Sequence, residues 1–255
     1  MKKLIKYVII DIVRNKIVIG YTIFLLLLSF GMFSLEDNSA KGLLSLMNVS
    51  LLIVPLLSII FSTIYVYNSA EFIELLVSQP VKRTSLISSL YTGLTLSLIM
   101  AVLVGIGLPV LIYDQSITGL VLVISAILLT AIFVALALLA SVITRDKAKG
   151  IGVSILLWFY FSIIFDALLL FIIYQFSDYP LEQASIALTA LNPIDLSRIL
   201  VLLQMDMSAM MGYTGAVFAD FFTGWYGYVF ISVVILLWII SPTWLAINRF
   251  NKKDL

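Results

Sequence analysis

One aspartate stands inside a long apolar run: Asp166, in FSIIFDALLLF. A carboxyl at mid-membrane costs about 2.5 to 3.5 kcal/mol on insertion scales, so it has to face water or a bundle interior, paired or protonated. Two roles fit such a group. One is a polar station in a transport path or at a dimer seam; the other is a local hydrogen bond to a serine or tyrosine of a neighbouring helix. Intramembrane aspartyl proteolysis needs a second facing aspartate, and Asp114 falls at the end of a different apolar run. Met205, Met207, Met210 and Met211 form a second cluster. Thioethers suit soft Cu(I), but methionine also fills irregular apolar contacts. The chain contains neither Cys nor His to complete a ligand set. No metal ligands are therefore assigned, and Met207, Met210 and Met211 are expected to touch lipid or a partner outside the membrane. The same absence removes thiolate nucleophiles, zinc fingers and HExxH proteolysis. No GxxxxGK[ST] loop is present, so ATP is not bound by that route.

A third group is amphipathic. In AEFIELLVSQ, residues 70–79, Ala70, Phe72, Ile73, Leu76 and Val77 share one helical arc. Glu71, Glu74, Ser78 and Gln79 occupy the other, with Leu75 among them. Pro80 stops the helix, and Lys82 and Arg83 follow. Such a helix either lies on lipid headgroups or docks on a soluble partner. Two acids facing an anionic leaflet count against the first.

The elements that must position these groups follow from composition. Of 255 residues 62% are hydrophobic, only 11% are charged, and the mean hydropathy is +1.16. That is an integral membrane protein, all-α, with no Lys/Arg-rich face for nucleic acid. Crossing about 30 Å of hydrocarbon takes about 20 apolar residues. Six stretches qualify, near 17–35, 43–67, 86–113, 118–143, 150–176 and 227–248. Thirteen of the 15 Lys and Arg fall on one side of this arrangement; only Lys41 and Arg198 fall on the other. The positive-inside rule then places both termini in the cytoplasm of a multi-pass protein of the cell inner membrane. Residues 1–16 read as an amphipathic interfacial helix rather than a cleaved signal. Outside, within residues 177–226, LNPIDLSRILVLLQMDM begins like a helix: Asn192 can cap, Pro193 suits the first turn, and Asp195 favours the positive end. It reads as an amphipathic or re-entrant helix. GIGLP, at 105–109, is expected to bend or break span 3, and Gly93, Gly150 and Gly152 to admit close helix contacts. No internal repeat relates the two halves, which weakens an inverted-repeat transporter.

The pattern E-x-x-E-L-L-x-S-x-P-x-x-R-x-x-L, residues 71–86, resembles the permeases of type-2 ABC exporters. YNSAEFIELLVSQPVKRTSLISSLYTGL, TRDKAKGIGVSILLWFYFSIIFDALLL and LNPIDLSRI…MMGYTGA narrow the resemblance to the NosY-type permeases, which serve copper-site assembly in nitrous oxide reductase. The resemblance implies one permease domain over 1–255 with a coupling segment over 69–84. It implies that Ser69, Ala70, Glu71, Phe72, Ile73, Glu74, Leu75, Gln79, Lys82 and Arg83 meet a separate ATPase. The chain itself would be non-catalytic, with ATP and Mg held by two copies of that partner. It further implies a second copy of this chain and a periplasmic accessory protein, with Asn192, Asp195, Arg198, Met207, Met210 and Met211 as its contacts. A generic exporter of lipid, polysaccharide or drug is the alternative within the fold.

Overall fold

The computed structural model describes residues 2–79, 82–176, 182–205 and 225–252, and every regular element among them is a helix. Six helices are long and apolar enough to cross a membrane: Lys16–Leu35, Ser39–Asn68, Arg83–Tyr113, Ile117–Ile143, Lys147–Gln175 and Val229–Asn251. In chain order the elements are α1 (Lys2–Val13), α2 (Lys16–Leu35) and α3 (Ser39–Asn68). Next come α4 (Ala70–Val77), then α5 (Arg83–Val102) and α6 (Leu108–Tyr113), which with the π turn Leu103–Gly107 make span 3. α7 (Ile117–Ile143) is span 4; α8 (Lys147–Phe159), a π turn at Tyr160–Ile164 and α9 (Phe165–Gln175) make span 5. α10 (Glu182–Ala190) and α11 (Pro193–Gln204) precede α12 (Trp225–Asn251), which carries span 6.

Caps written in the sequence set several boundaries. Asn15, Asn38, Ser116 and Asp146 each accept a hydrogen bond from a backbone N–H of the helix they precede, at spans 1, 2, 4 and 5. Each takes over a donor that the first turn leaves without a partner. Span 4 has no charged residue and is the most enclosed of the six, with 72% of its apolar window buried. It packs against spans 2, 3, 5 and 6 and against α11, so the bundle is built around it. Span 5 is the least enclosed, at 11%.

Span 3 is neither broken nor sharply interrupted at GIGLP. Pro109 lacks an N–H, and the helix absorbs the defect in a π turn in which the Leu108 N–H donates to the Leu103 carbonyl. Gly93 and Gly150 do allow close contact. A Cβ at Gly93 would stand 2.4 Å from Val8 Cγ1 of α1, and one at Gly150 would stand 2.1 Å from the Tyr67 hydroxyl. Gly152 has no such neighbour within 4 Å.

Candidate functional sites at the two ends of the bundle

α1, α4, the end of α12 and the turn between spans 4 and 5 lie together at one end of the bundle. Arg83 reaches the Phe250 carbonyl near the end of span 6, where a cation complements the negative helix terminus. Lys147 donates to Asn68 Oδ1 at 2.7 Å, tying the start of span 5 to the end of span 2. Tyr67 donates to the Thr144 carbonyl at 3.2 Å.

α4 starts one residue after span 2, and Ser69 is the hinge between them. Its apolar arc turns toward the chain's own bundle. Ile73 is buried, and Phe72 stacks on Tyr7 of α1 with ring centroids 5.4 Å apart. α1 is itself seated on span 3 through buried Val8 and Ile12, and its Asp11 accepts a 2.9 Å hydrogen bond from the Tyr65 hydroxyl of span 2. The N-terminal helix buries Val8 and Ile12 against protein, half-buries Ile5 and Ile9, and leaves Tyr7, Ile10 and Val13 exposed. Behind α4 is a cleft of about 350 Å³ lined by Tyr67, Ile73, Glu74, Ile87 and Thr144. The side of α4 left facing outward carries Glu71, Leu75, Ser78 and Gln79, with Leu75 65% exposed, while the exposed Glu74 stands at the edge of the cleft. Ala70 and Lys82 are also exposed. The outer surface of α4 is thus an acid-flanked leucine, while Phe72 and Ile73 of the apolar arc are taken up by the chain itself.

The second site lies inside the bundle, toward the opposite end. α10 and α11 form a hairpin. Thr118 at the start of span 4 donates to the Gln204 carbonyl, which fixes the end of α11 at the far edge. The turn of the hairpin sits much deeper. Trp238, midway along α12, donates to the Ala190 carbonyl at 3.0 Å, and Asn192 Nδ2 donates to the Phe161 carbonyl, midway along span 5, at 2.8 Å. The turn of the hairpin thus lies level with the middle of spans 5 and 6, and Ile194, Leu196, Ile199 and Val201 of α11 are buried.

The capping signal of the sequence is realised at this turn. Asn192 Oδ1 accepts from the Ile194 N–H at 3.0 Å and Pro193 occupies the first turn. Asp166 pairs with Arg198 Nη1 at 2.9 Å, and the same nitrogen reaches Asp195 Oδ1 at 2.9 Å. Asn192 Nδ2 completes the set by donating to Asp195 Oδ2 at 2.9 Å. Asp166 thus has an arginine as partner, supplied 32 residues later. Expected to face an external partner, Asn192 and Asp195 are instead buried, and Arg198 is half-buried with both acids on it. The apolar side of α11 faces the bundle, and the guanidinium, shared between the two carboxylates, offsets part of the charge carried in with it. Met207, Met210 and Met211 lie outside the described residues.

Comparison with known proteins agrees with this architecture. The chain is 28% identical over 180 residues to the probable ABC transporter permease protein NosY of Pseudomonas aeruginosa. That alignment takes in 66% of this chain and 66% of the relative, just under two thirds of its length. Over residues 4–255, nearly end to end, the chain matches the model of the ABC-2 family transporter proteins, and it is a member of that family, a multi-pass permease similar to NosY.

Proposed function

We propose that this chain is the membrane subunit of an ABC exporter whose separate ATPase docks on the outward face of α4. The observation that carries the reading is the two-sided use of that helix. Glu71, Leu75 and Gln79 face outward, while Phe72 stacks on Tyr7 and Ile73 is buried on the bundle side, beside a cleft that Glu74 also lines. A push on the outer face has a direct route to α1, and from α1 to spans 2 and 3. The basic end of the bundle faces the cytoplasm of the inner membrane in this reading, as the distribution of Lys and Arg supports.

The working unit is two copies of this chain with two ATPase chains that hold ATP and Mg. Span 5 supports its placement at the seam. Asp166 and Arg198 are 31% and 34% exposed on this poorly covered side, and charged groups do not face hydrocarbon. Protein or water has to cover them, and a second copy does both if a path runs between the two. In this reading the chain, similar to a probable NosY permease and resembling the NosY-type group in its sequence blocks, works on the outer side of the membrane, in assembly of the copper sites of nitrous oxide reductase with a periplasmic accessory protein.

Co-purification tests the docking face. Glu71→Lys combined with Leu75→Asp should leave the permease in the membrane at its normal level and reduce recovery of the ATPase at least about tenfold. Unchanged recovery defeats the assignment of α4. The copper content of nitrous oxide reductase from cells lacking this chain tests the narrower role; full loading eliminates it.

A further inference from the structure

Spans 3 and 5 each contain one π turn, but only one has a local cause. Pro109 accounts for the turn in span 3. Span 5 has neither proline nor glycine between Gly152 and Phe176, so nothing in its own sequence compels the turn at Tyr160–Ile164. Helix irregularities of this kind have identifiable causes, and the contacts that coincide with this one come from the α10–α11 hairpin.

The hydrogen bonds show the exchange. In an uninterrupted α-helix the Phe165 N–H would donate to the Phe161 carbonyl. It donates instead to Tyr160, five residues back. The Phe161 carbonyl accepts from Asn192 Nδ2, and Asn192 is completely buried. One residue beyond Phe165, whose N–H closes the π turn, Asp166 meets Arg198. Both contacts come from the same hairpin and fall on either side of the π turn's second half.

We propose that span 5 is a two-register helix and that seating of the α10–α11 hairpin selects the π register. When Asn192 withdraws, the Phe161 carbonyl returns to the Phe165 N–H, so its hydrogen bond is exchanged rather than lost. A π turn holds one residue more than an α turn. Its conversion therefore rotates everything beyond it by about 100° and advances it by about 1.5 Å. That rotation carries Asp166 away from Arg198 and turns a new side of α9 toward whatever covers span 5. Asn192 is a positioning residue in this device: it acts through the backbone of span 5. Arg198 keeps Asp195 in both registers, so the hairpin retains its internal charge pairing when released.

The chain has no cysteine, so single spin labels can be placed without background. The full chain is reconstituted in lipid nanodiscs, and oxygen accessibility is scanned over 150–158 and 167–175. Asn192→Ser combined with Asp166→Leu keeps a helix cap and the Arg198–Asp195 pair but removes both contacts to span 5. The accessibility maximum over 167–175 should shift by one residue, about 100°, while the phase over 150–158 stays fixed. Deleting Ser162 removes the surplus residue of the π turn; in that background the same two substitutions should produce no shift. An unchanged phase in the double variant overturns the proposal. So does a shift that survives the deletion, or one shared by 150–158, because the π turn is then not the pivot.

Discussion

Arg198→Met isolates what the ion cluster contributes to the bundle. Its Nη1 lies 2.9 Å from one oxygen of Asp166 and 2.9 Å from one of Asp195. Asp195 is the enclosed member, with its side chain 10% exposed, while Asp166 and Arg198 are about one third open. Removing one member of a buried pair costs about 3 to 5 kcal/mol, because the other charge stays buried without compensation. Partial exposure moves the expectation to the lower end, about 3 kcal/mol, or a change of about a hundredfold in the folding equilibrium. Neutralising the whole cluster is different. Asp166→Leu, Asp195→Asn and Arg198→Met together leave no buried charge and should fall within about 1 kcal/mol of the parent. Reversible unfolding in mixed micelles, followed by the fluorescence of the 4 tryptophans, measures both. The reasoning fails if Arg198→Met alone lies within about 0.5 kcal/mol of the parent, or if the triple variant is as unstable as the single one.

The remaining expectations concern the opposite end of the bundle. Gly93→Leu drives a side chain into Val8 and should cost about 1 to 3 kcal/mol by overpacking. Trypsin should then cut faster after Arg14, and adding Val8→Ala should slow it again. Gly150→Ala meets the Tyr67 ring in the same way, and thermal unfolding should show less loss in combination with Tyr67→Ala than the two single losses added. Tyr65→Phe deletes the donor to Asp11 and should cost about 1.5 kcal/mol, whereas Asp11→Asn keeps an acceptor and should cost less; micelle unfolding separates the two.

Most of the architecture was legible because membrane spans announce themselves by length and polarity. The ends of span 1, read as 17–35, lie within one residue of Lys16–Leu35, and span 4, read as 118–143, behaves alike against Ile117–Ile143. Asn192 and Pro193 revealed the start of α11 through capping chemistry that acts within one turn. Depth was not legible. Nothing within α11 says that its cap lies against the middle of span 5, because that contact joins residues 31 apart in sequence. The partner of Asp166 escaped for the same reason: a serine or tyrosine was sought on a neighbouring span, while the arginine came from a segment assigned to the outside. The π turn of span 5 carries no sequence signal at all, unlike the one that Pro109 marks in span 3. On α4 the period separated buried Ile73 from exposed Glu71, Ser78 and Gln79 but not exposed Ala70 from its arc, and it could not show that Phe72 is met by Tyr7 of α1.

Span 4 has consequences for how the protein is assembled. The wall it completes is shared between helices made before it and helices made after it. Spans 1 to 3 therefore leave unfilled the seam that this uncharged rod occupies in the finished bundle. A break engineered after residue 143 would leave a first fragment holding the keystone, and a second fragment able to find its place only by docking onto it.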